Sequence, residues 1–241
     1  MHSVRLELIP KGPAIAICTR STSCTAGVSW RRASMQNVRV LSRACMCLIS
    51  VAASGGASRY LAAERGCRVA AIDLTPNFVE VARVLAARCG LADRIEVRQA
   101  NALALPFQDG TFDHVWSYAV TMNIADKEGL AREVSRVLKS GGRFSCNEIA
   151  RGQGEDPVFP LPWATDETSS FLASPAVMRA ALETSGLSIL DQVDLTPTRL
   201  GDTARNALSE PDDHPLRLRN LQSGLADGRL VAEFILAEKS G

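Results

Sequence analysis

Val69-Ala70-Ala71-Ile72-Asp73-Leu74-Thr75-Pro76 is the stretch that decides the fold of this 241-residue chain. Cys67 to Ile72 is short, apolar and rich in small and branched residues, the signature of a strand buried on both faces of a parallel sheet. An acid, Asp73, stands at its tip. Thr75-Pro76 then reads as a helix start, with a hydroxyl to cap the first turn and a proline where its missing N–H costs nothing. That helix continues through Phe78, Val79, Val81, Ala82, Val84 and Leu85 until Gly90 stops it. In open α/β sheets ligands sit beyond the carboxyl ends of the strands. A carboxylate there can accept hydrogen bonds from both ribose hydroxyls of a nucleoside; its alternative use is to cap the helix that follows.

The same alternation extends in both directions. Upstream, Gly55-Gly56 precedes a helix over Ala57 to Arg65, whose apolar face is Tyr60, Leu61, Ala62 and Ala63. Downstream, strands are expected over Arg94–Arg98 and Phe112–Tyr118. Lys127–Leu138 is an amphipathic helix, with Leu130, Val134, Val137 and Leu138 on one face and Gly141-Gly142 ending it. Strands over Arg143–Ile149, Leu187–Val193 and Leu230–Leu236, with a helix over Pro175–Ser185, complete the series. The pattern predicts a Rossmann-like α/β domain, a mostly parallel sheet with helices on both faces. Residues 151–174 and 195–215, rich in Pro, Asp, Gly and Thr, read as insertions over the working edge of the sheet.

Composition narrows the functional classes. A formal charge of +1 carries no basic field for nucleic acid or an anionic membrane. The expected partner is a small molecule. No apolar run approaches the length of a membrane-spanning helix. The seven cysteines form no CxxC pair and no Cys/His cluster, which predicts no metal site and fits a reducing cytoplasm better than a disulfide scaffold.

Asp73 alone does not separate one nucleotide-bearing cofactor from another. Asn101, after the third strand, can meet an adenine edge with donor and acceptor together, although a lone loop Asn is usually a turn residue. It is followed by Ala102-Leu103-Ala104-Leu105-Pro106-Phe107 and then Asp109-Gly110-Thr111-Phe112-Asp113. A dinucleotide fingerprint would need GxGxxG between strand and helix, and Ala53-Ser54-Gly55-Gly56-Ala57-Ser58 is not that. Together with Val115 to Lys127, Glu133-Val134-Ser135-Arg136-Val137-Leu138-Lys139-Ser140-Gly141-Gly142 and Pro160-Leu161-Pro162-Trp163, these runs resemble the small-molecule class I methyltransferases dependent on S-adenosyl-L-methionine (SAM). That group includes the sarcosine/dimethylglycine and tocopherol methyltransferases.

The resemblance covers roughly residues 55–190 and, more weakly, 217–236. It implies SAM as cofactor and N-, O- or C-methylation of a small acceptor. It also implies Asp73 on the ribose, Leu74 beside the adenine, Asn101 and Ala102 at the adenine's polar edge, and Ser117 with Met122 near the methionine moiety. Ala119 stands where this group commonly has His. His114 reads as a partly buried strand residue. No general base is identified.

One part of the pattern departs from the group. Its glycine-rich loop runs Asp-x-Gly-x-Gly-x-Gly-Gly; counted with one residue missing, Ser50 falls here at the acid and Ala52 and Ser54 at glycines, with Gly55 and Gly56 retained. A β-carbon at either lost glycine would stand where backbone must approach a cofactor. The loss predicts impaired SAM binding, and a non-catalytic protein of this fold is the alternative reading of function. Residues 1–54 are also unusual in containing no Asp or Glu after Glu7, with Arg20, Arg31, Arg32, Arg39 and Arg43 among them. A transit-like leader accounts for the arginines. Translation one base out of frame over about residues 22–54 accounts for the loop as well, because the shifted codons of Ala44 to Gly55 permit Leu-His-Val-Leu-Asp-Ile-Gly-Cys-Gly-Leu-Gly.

Overall fold

The computed structural model describes residues 45–50, 55–200 and 214–241. Seven strands form one sheet: β1 (Met46–Ser50), β2 (Arg68–Asp73), β3 (Ile95–Gln99), β4 (Phe112–Tyr118), β5 (Leu138–Arg151), β6 (Leu187–Asp194) and β7 (Leu230–Lys239). Their order across the sheet is β3-β2-β1-β4-β5-β7-β6. Only β7 runs against its neighbours. The chain therefore reverses its direction of winding at β1 and β4, and it is beside these two strands that their carboxyl ends open a crevice.

Helices α1 (Gly56–Arg65) and α2 (Pro76–Arg88) cover one face, burying Leu61, Val79 and Ala82 against Cys47, Val69, Ala71 and Trp116. Helices α3 (Lys127–Val137) and α4 (Pro175–Thr184) cover the other, burying Leu130, Val134 and Leu182 against Leu48, Ile72, Val115 and Phe144. Alternate residues of β2 point to opposite layers, as the period of two in a strand requires. With a core on both faces, the apolar character of β2 needs no further explanation.

Local details differ from the sequence reading in three places. Thr75 is the N-cap of α2, but its hydroxyl makes no capping bond; the Oδ1 of Asp73 instead accepts the Thr75 N–H at 2.8 Å. Gly141-Gly142 does not stop α3. The chain passes from Val137 directly into β5, and the glycines make an irregularity within that strand, where Gly141 takes φ 71°. Last, residues His214–Ala226, mostly in a stretch to which the sequence reading assigns no element, form a helix, α5.

The insertion over residues 151–174 carries a small core of its own. Leu161 is fully buried with Met122, Ile149, Leu225 and Leu230, and Phe159, Trp163 and Leu172 pack around them. Arg217 of α5 donates to the Leu161 carbonyl at 2.8 Å and Asn220 to the Pro160 carbonyl at 3.0 Å. Trp163 donates its indole N–H to Ser170 Oγ at 3.0 Å. The segment is a cover built on α5 and β7, seated above the carboxyl ends of β4 and β5.

Candidate functional site

The crevice has two sides. On the β2–β3 side, Asp73 ends β2 and is 3% exposed, while Leu74 beside it is 64% exposed. A buried carboxylate next to an open apolar surface suits a ribose followed by a flat base. Asn101 lies in the turn after β3, its Oδ1 accepting the Leu103 N–H at 2.9 Å. The turn role of this residue is thus present in the fold, and the NH₂ end of the amide is the end left to face a ligand. The Ala102 side chain is buried in the core, so only its backbone can serve a base edge.

The loop that follows is bolted to α3. Arg136 donates to the carbonyls of Leu105 (3.0 Å) and Phe107 (2.8 Å) and to Asp109 (2.7 Å), and it forms a bidentate pair with Glu133 at 2.8 Å per bond. Glu133 in turn accepts the Leu105 N–H at 2.6 Å. The hydrogen bonds from Arg136 hold the Glu133 carboxyl below the usual carboxylate range. Two motifs that stand thirty residues apart in the chain, Leu105-Pro106-Phe107 and Glu133-Val134-Ser135-Arg136, are therefore two halves of one joint.

Between the two sides stand Gly55 and Gly56. Gly55 takes φ 76° at the N-cap of α1, and a β-carbon on it would come 3.2 Å from Ala82 Cβ of α2. This glycine is needed both for its backbone and for the close passage of α2. Gly56 opens α1, whose first amides point into the crevice as the N-terminus of a helix does. In the first turn, Ser58 Oγ is buried with no hydrogen-bond partner among the described residues. Ser50 is placed by backbone pairing at the carboxyl end of β1, opposite Ile72 and Ser117. Ala52 lies outside the described residues.

The β4–β5 side is built differently. Ser117 is buried and donates its hydroxyl to Glu148 of β5 at 2.7 Å. The other oxygen of Glu148 accepts the amides of Val120 (2.6 Å) and Thr121 (3.0 Å). Burial pushes the Glu148 carboxyl above its ordinary range, and these donors oppose the rise. Ala119 takes φ 54°, a left-handed conformation that costs an L-residue about 1–2 kcal/mol. Its amide is held by the Asn147 carbonyl at 3.0 Å. Met122 sits in a short 3₁₀ turn, buried in the core of the cover. Lys127, also buried, donates to the carbonyls of Thr121 (2.7 Å), Ile124 and Phe171 (2.6 Å). At the rim, Arg199 donates to Tyr118 Oη (3.2 Å) and Asn147 Oδ1 (3.1 Å) and lies over the Tyr118 ring at 5.6 Å.

Glu148, Lys127 and Arg199 carried no signal in the sequence, because a charge inside an apolar strand or at the head of a helix is read as solvated until the fold covers it. His114 is buried, as its strand position suggested, and shares a 2.5 Å hydrogen bond with Ser145. Burial, with Arg143 nearby, lowers its pKa to about 4.

Cysteine spacing also concealed a through-space cluster. Parallel pairing of Met46 with Arg68 brings Cys45 beside Cys67, and Cys47 lies two residues on. Cys45 Sγ is 3.0 Å from Cys47 Sγ and 2.9 Å from Cys67 Sγ. Thiolates 2.3 Å from a tetrahedral zinc ion stand roughly 3.8 Å apart, so these thiols are packed too tightly to hold one as placed. They fill the core at the amino ends of β1 and β2, on the side of the sheet away from the crevice.

Residues 49–146 match the family model of the methyltransferase domain. Over those residues the chain is similar to a methyltransferase domain. The Gly55–Asp73 unit and β2 to β4 fall within that span, whereas Glu148 of β5 lies just beyond it. The chain is 32% identical over 200 residues to a sarcosine/dimethylglycine N-methyltransferase of Halorhodospira halochloris, covering 78% of this chain and 64% of the relative. It is 42% identical over 90 residues to the chloroplastic tocopherol O-methyltransferase of Arabidopsis thaliana, covering 37% of this chain and 26% of that one. The chain thus spans less than two thirds of the length of these relatives. Among solved structures, the geranyl diphosphate C-methyltransferase of Streptomyces coelicolor, in complex with Mg²⁺, geranyl diphosphate and S-adenosyl-L-homocysteine, superposes with a TM-score of 0.75 at 21% identity, over 87% of this chain and 78% of that chain. The chain accordingly has the class I methyltransferase fold, a seven-stranded, mostly parallel sheet with helices on both faces. Among the described residues, no helix is long and apolar enough to cross a membrane.

Proposed function

We propose that the chain is a SAM-dependent methyltransferase acting on a small-molecule acceptor, working in the cytoplasm and not on nucleic acid. The observation that carries this reading is the β2–β3 side of the crevice. Asp73 is a buried carboxylate at a strand tip, Leu74 beside it is exposed, and Asn101 is exposed in the turn after β3 with its Oδ1 bonded to the Leu103 N–H. With Gly55 in its left-handed conformation and the unpartnered Ser58 hydroxyl in the first turn of α1, the residues present fit a nucleoside attached to a polar tail.

Asp73 would hold the ribose, Leu74 and the backbone at Ala102 the adenine, and the α1 amides with the Ser117–Met122 segment the methionine end. By the resemblance, Ser50 and Ala52 stand at loop positions that would hold that end too. The cofactor supplies a methyl group on a sulfonium, transferred by in-line displacement. What the protein contributes is alignment of the acceptor and exclusion of water by the cover. Glu148 is already satisfied by three donors, so it acts as a holding group, and no base is assigned. An amine acceptor need only arrive neutral.

Isothermal titration with S-adenosylhomocysteine tests the reading. Binding with a Kd of roughly micromolar order supports it; no heat at millimolar ligand overturns it for this chain. The variant Ser50→Asp/Ala52→Gly/Ser54→Gly, which restores the acid and two glycines, is expected to bind at least about tenfold more tightly. No gain would show that the altered loop is not what limits affinity.

A further inference from the structure

Two buried, oppositely charged side chains grip one short segment from opposite sides. Residues 119–126 join β4 to α3. Glu148, on β5, accepts this segment's Val120 and Thr121 amides and the hydroxyl of Ser117 just before it. Lys127, at the first position of α3, donates to its Thr121 and Ile124 carbonyls. The same ammonium reaches the Phe171 carbonyl of the cover at 2.6 Å, and the Phe171 amide donates back to Met122 at 2.8 Å. Glu148 is 4% exposed and Lys127 is 7% exposed.

Burying two charges is costly, and an apolar pair of similar volume would serve a purely structural purpose as well or better. What charges do that apolar groups cannot is to fix peptide groups in a conformation those groups would not otherwise keep. The conformation kept here is unfavourable: Ala119 is left-handed and is followed at once by a 3₁₀ turn. Strain retained in this way marks a segment whose shape matters. The segment also carries Met122, whose side chain is buried with Leu161 of the cover. Turn and cover are therefore joined three times over, by the Lys127 ammonium, by the Phe171 amide and by the packing of Met122.

We propose that Glu148 and Lys127 are positioning residues that make the methionine-side turn and the acceptor cover a single mechanical unit, so that occupying the cofactor pocket orders the cover. The sequence of events follows from the contacts. A ligand against Ser117 and the 119–122 backbone steadies the turn, the turn holds Lys127 and Met122, and these hold Phe171. Cofactor thereby binds ahead of acceptor. This inference rests on the crevice being the cofactor site, but the mechanical linkage itself does not need a ligand to be seen.

Residue-resolved hydrogen exchange on the full chain tests it. Without ligand, Glu148→Gln should speed exchange at Val120 and Thr121 by about tenfold or more. It should also speed exchange at Phe171, whose amide is bonded to Met122 and not to Glu148. Lys127→Met, made from the other side, should do the same in reverse order of size. With S-adenosylhomocysteine added, residues 159–172 of the unaltered protein should become protected by about tenfold, and neither variant should show this. Either variant alone decides the matter if the other fails to fold. Faster exchange at the turn with the cover unmoved overturns the proposal. Coupled exchange without any ligand-induced protection leaves the linkage standing and counts against the cofactor reading instead; ligand binding without coupled exchange does the opposite.

Discussion

The two sides of the crevice are made by different physics. On the β2–β3 side, each contributing group is placed by its own strand end or turn: Asp73 bonds two residues on and Asn101 two residues on. On the β4–β5 side, the groups are buried charges that, besides near neighbours, reach partners 28, 31 and 44 residues away. The first kind of site tolerates movement elsewhere in the molecule, because its geometry is set within a few residues. The second exists only when the sheet, α3 and the cover are all in place. A ligand spanning the crevice would thus find its nucleoside half preformed and its other half dependent on global packing.

The largest expected effect separates the two sides by pH. His114, which belongs to the β4–β5 half through its bond to Ser145, has its pKa lowered to about 4 by burial. The folded state therefore favours the neutral ring. As pH falls below about 6.5, the unfolded chain takes up a proton that the folded one refuses, and stability drops until about pH 4. The difference is worth on the order of 3 kcal/mol. Urea unfolding between pH 7 and 5 should show the loss begin, and His114→Gln should flatten it. An unchanged slope in that variant would place the proton uptake elsewhere.

Next in size, Asp73→Ala should weaken S-adenosylhomocysteine binding by about 2 kcal/mol, the scale of a hydrogen bond to a charged group. Exchange at residues 159–172 should be unmoved in the unliganded protein. If the cover loosens, the two sides are not independent and the comparison fails. Asn101→Ala removes one amide and the turn bond to Leu103, and should cost about 1 kcal/mol of binding on the same side. The smallest effect belongs to Ala119→Gly. Relief of the left-handed backbone is offset by the greater freedom of glycine in the unfolded chain, leaving a gain of about 0.5 kcal/mol. A loss there would mean that the β-carbon of Ala119 is contributing contacts that outweigh its strain.

How much of this could be read from the chain alone follows the same division. Asp73, Leu74 and Asn101 were legible because strand tips and turns announce themselves locally, through an acid after an apolar run or an Asn before an irregular segment. The joint between Leu105-Pro106-Phe107 and Arg136 was visible as two motifs but not as one contact. Thr75 looked like a cap because hydroxyls usually are, yet its hydroxyl caps nothing, and Asp73 accepts the Thr75 N–H. Gly141-Gly142 looked like a helix stop, whereas β-pairing with β4 claimed the chain at Leu138. The cysteines looked scattered until strand register set Cys45 beside Cys67.

The sequence by itself determined the alternation of strand and helix and the acid at the tip of β2, since these depend on periodicity and short-range chemistry. The tertiary structure alone decided that Glu148 and Lys127 face one another across a strained turn, and that residues 159–172 close over it. Buried charge is the reason. A Glu on a strand and a Lys at a helix start are ordinary surface residues in a linear reading, and they become structural only when long-range packing removes the water from around them.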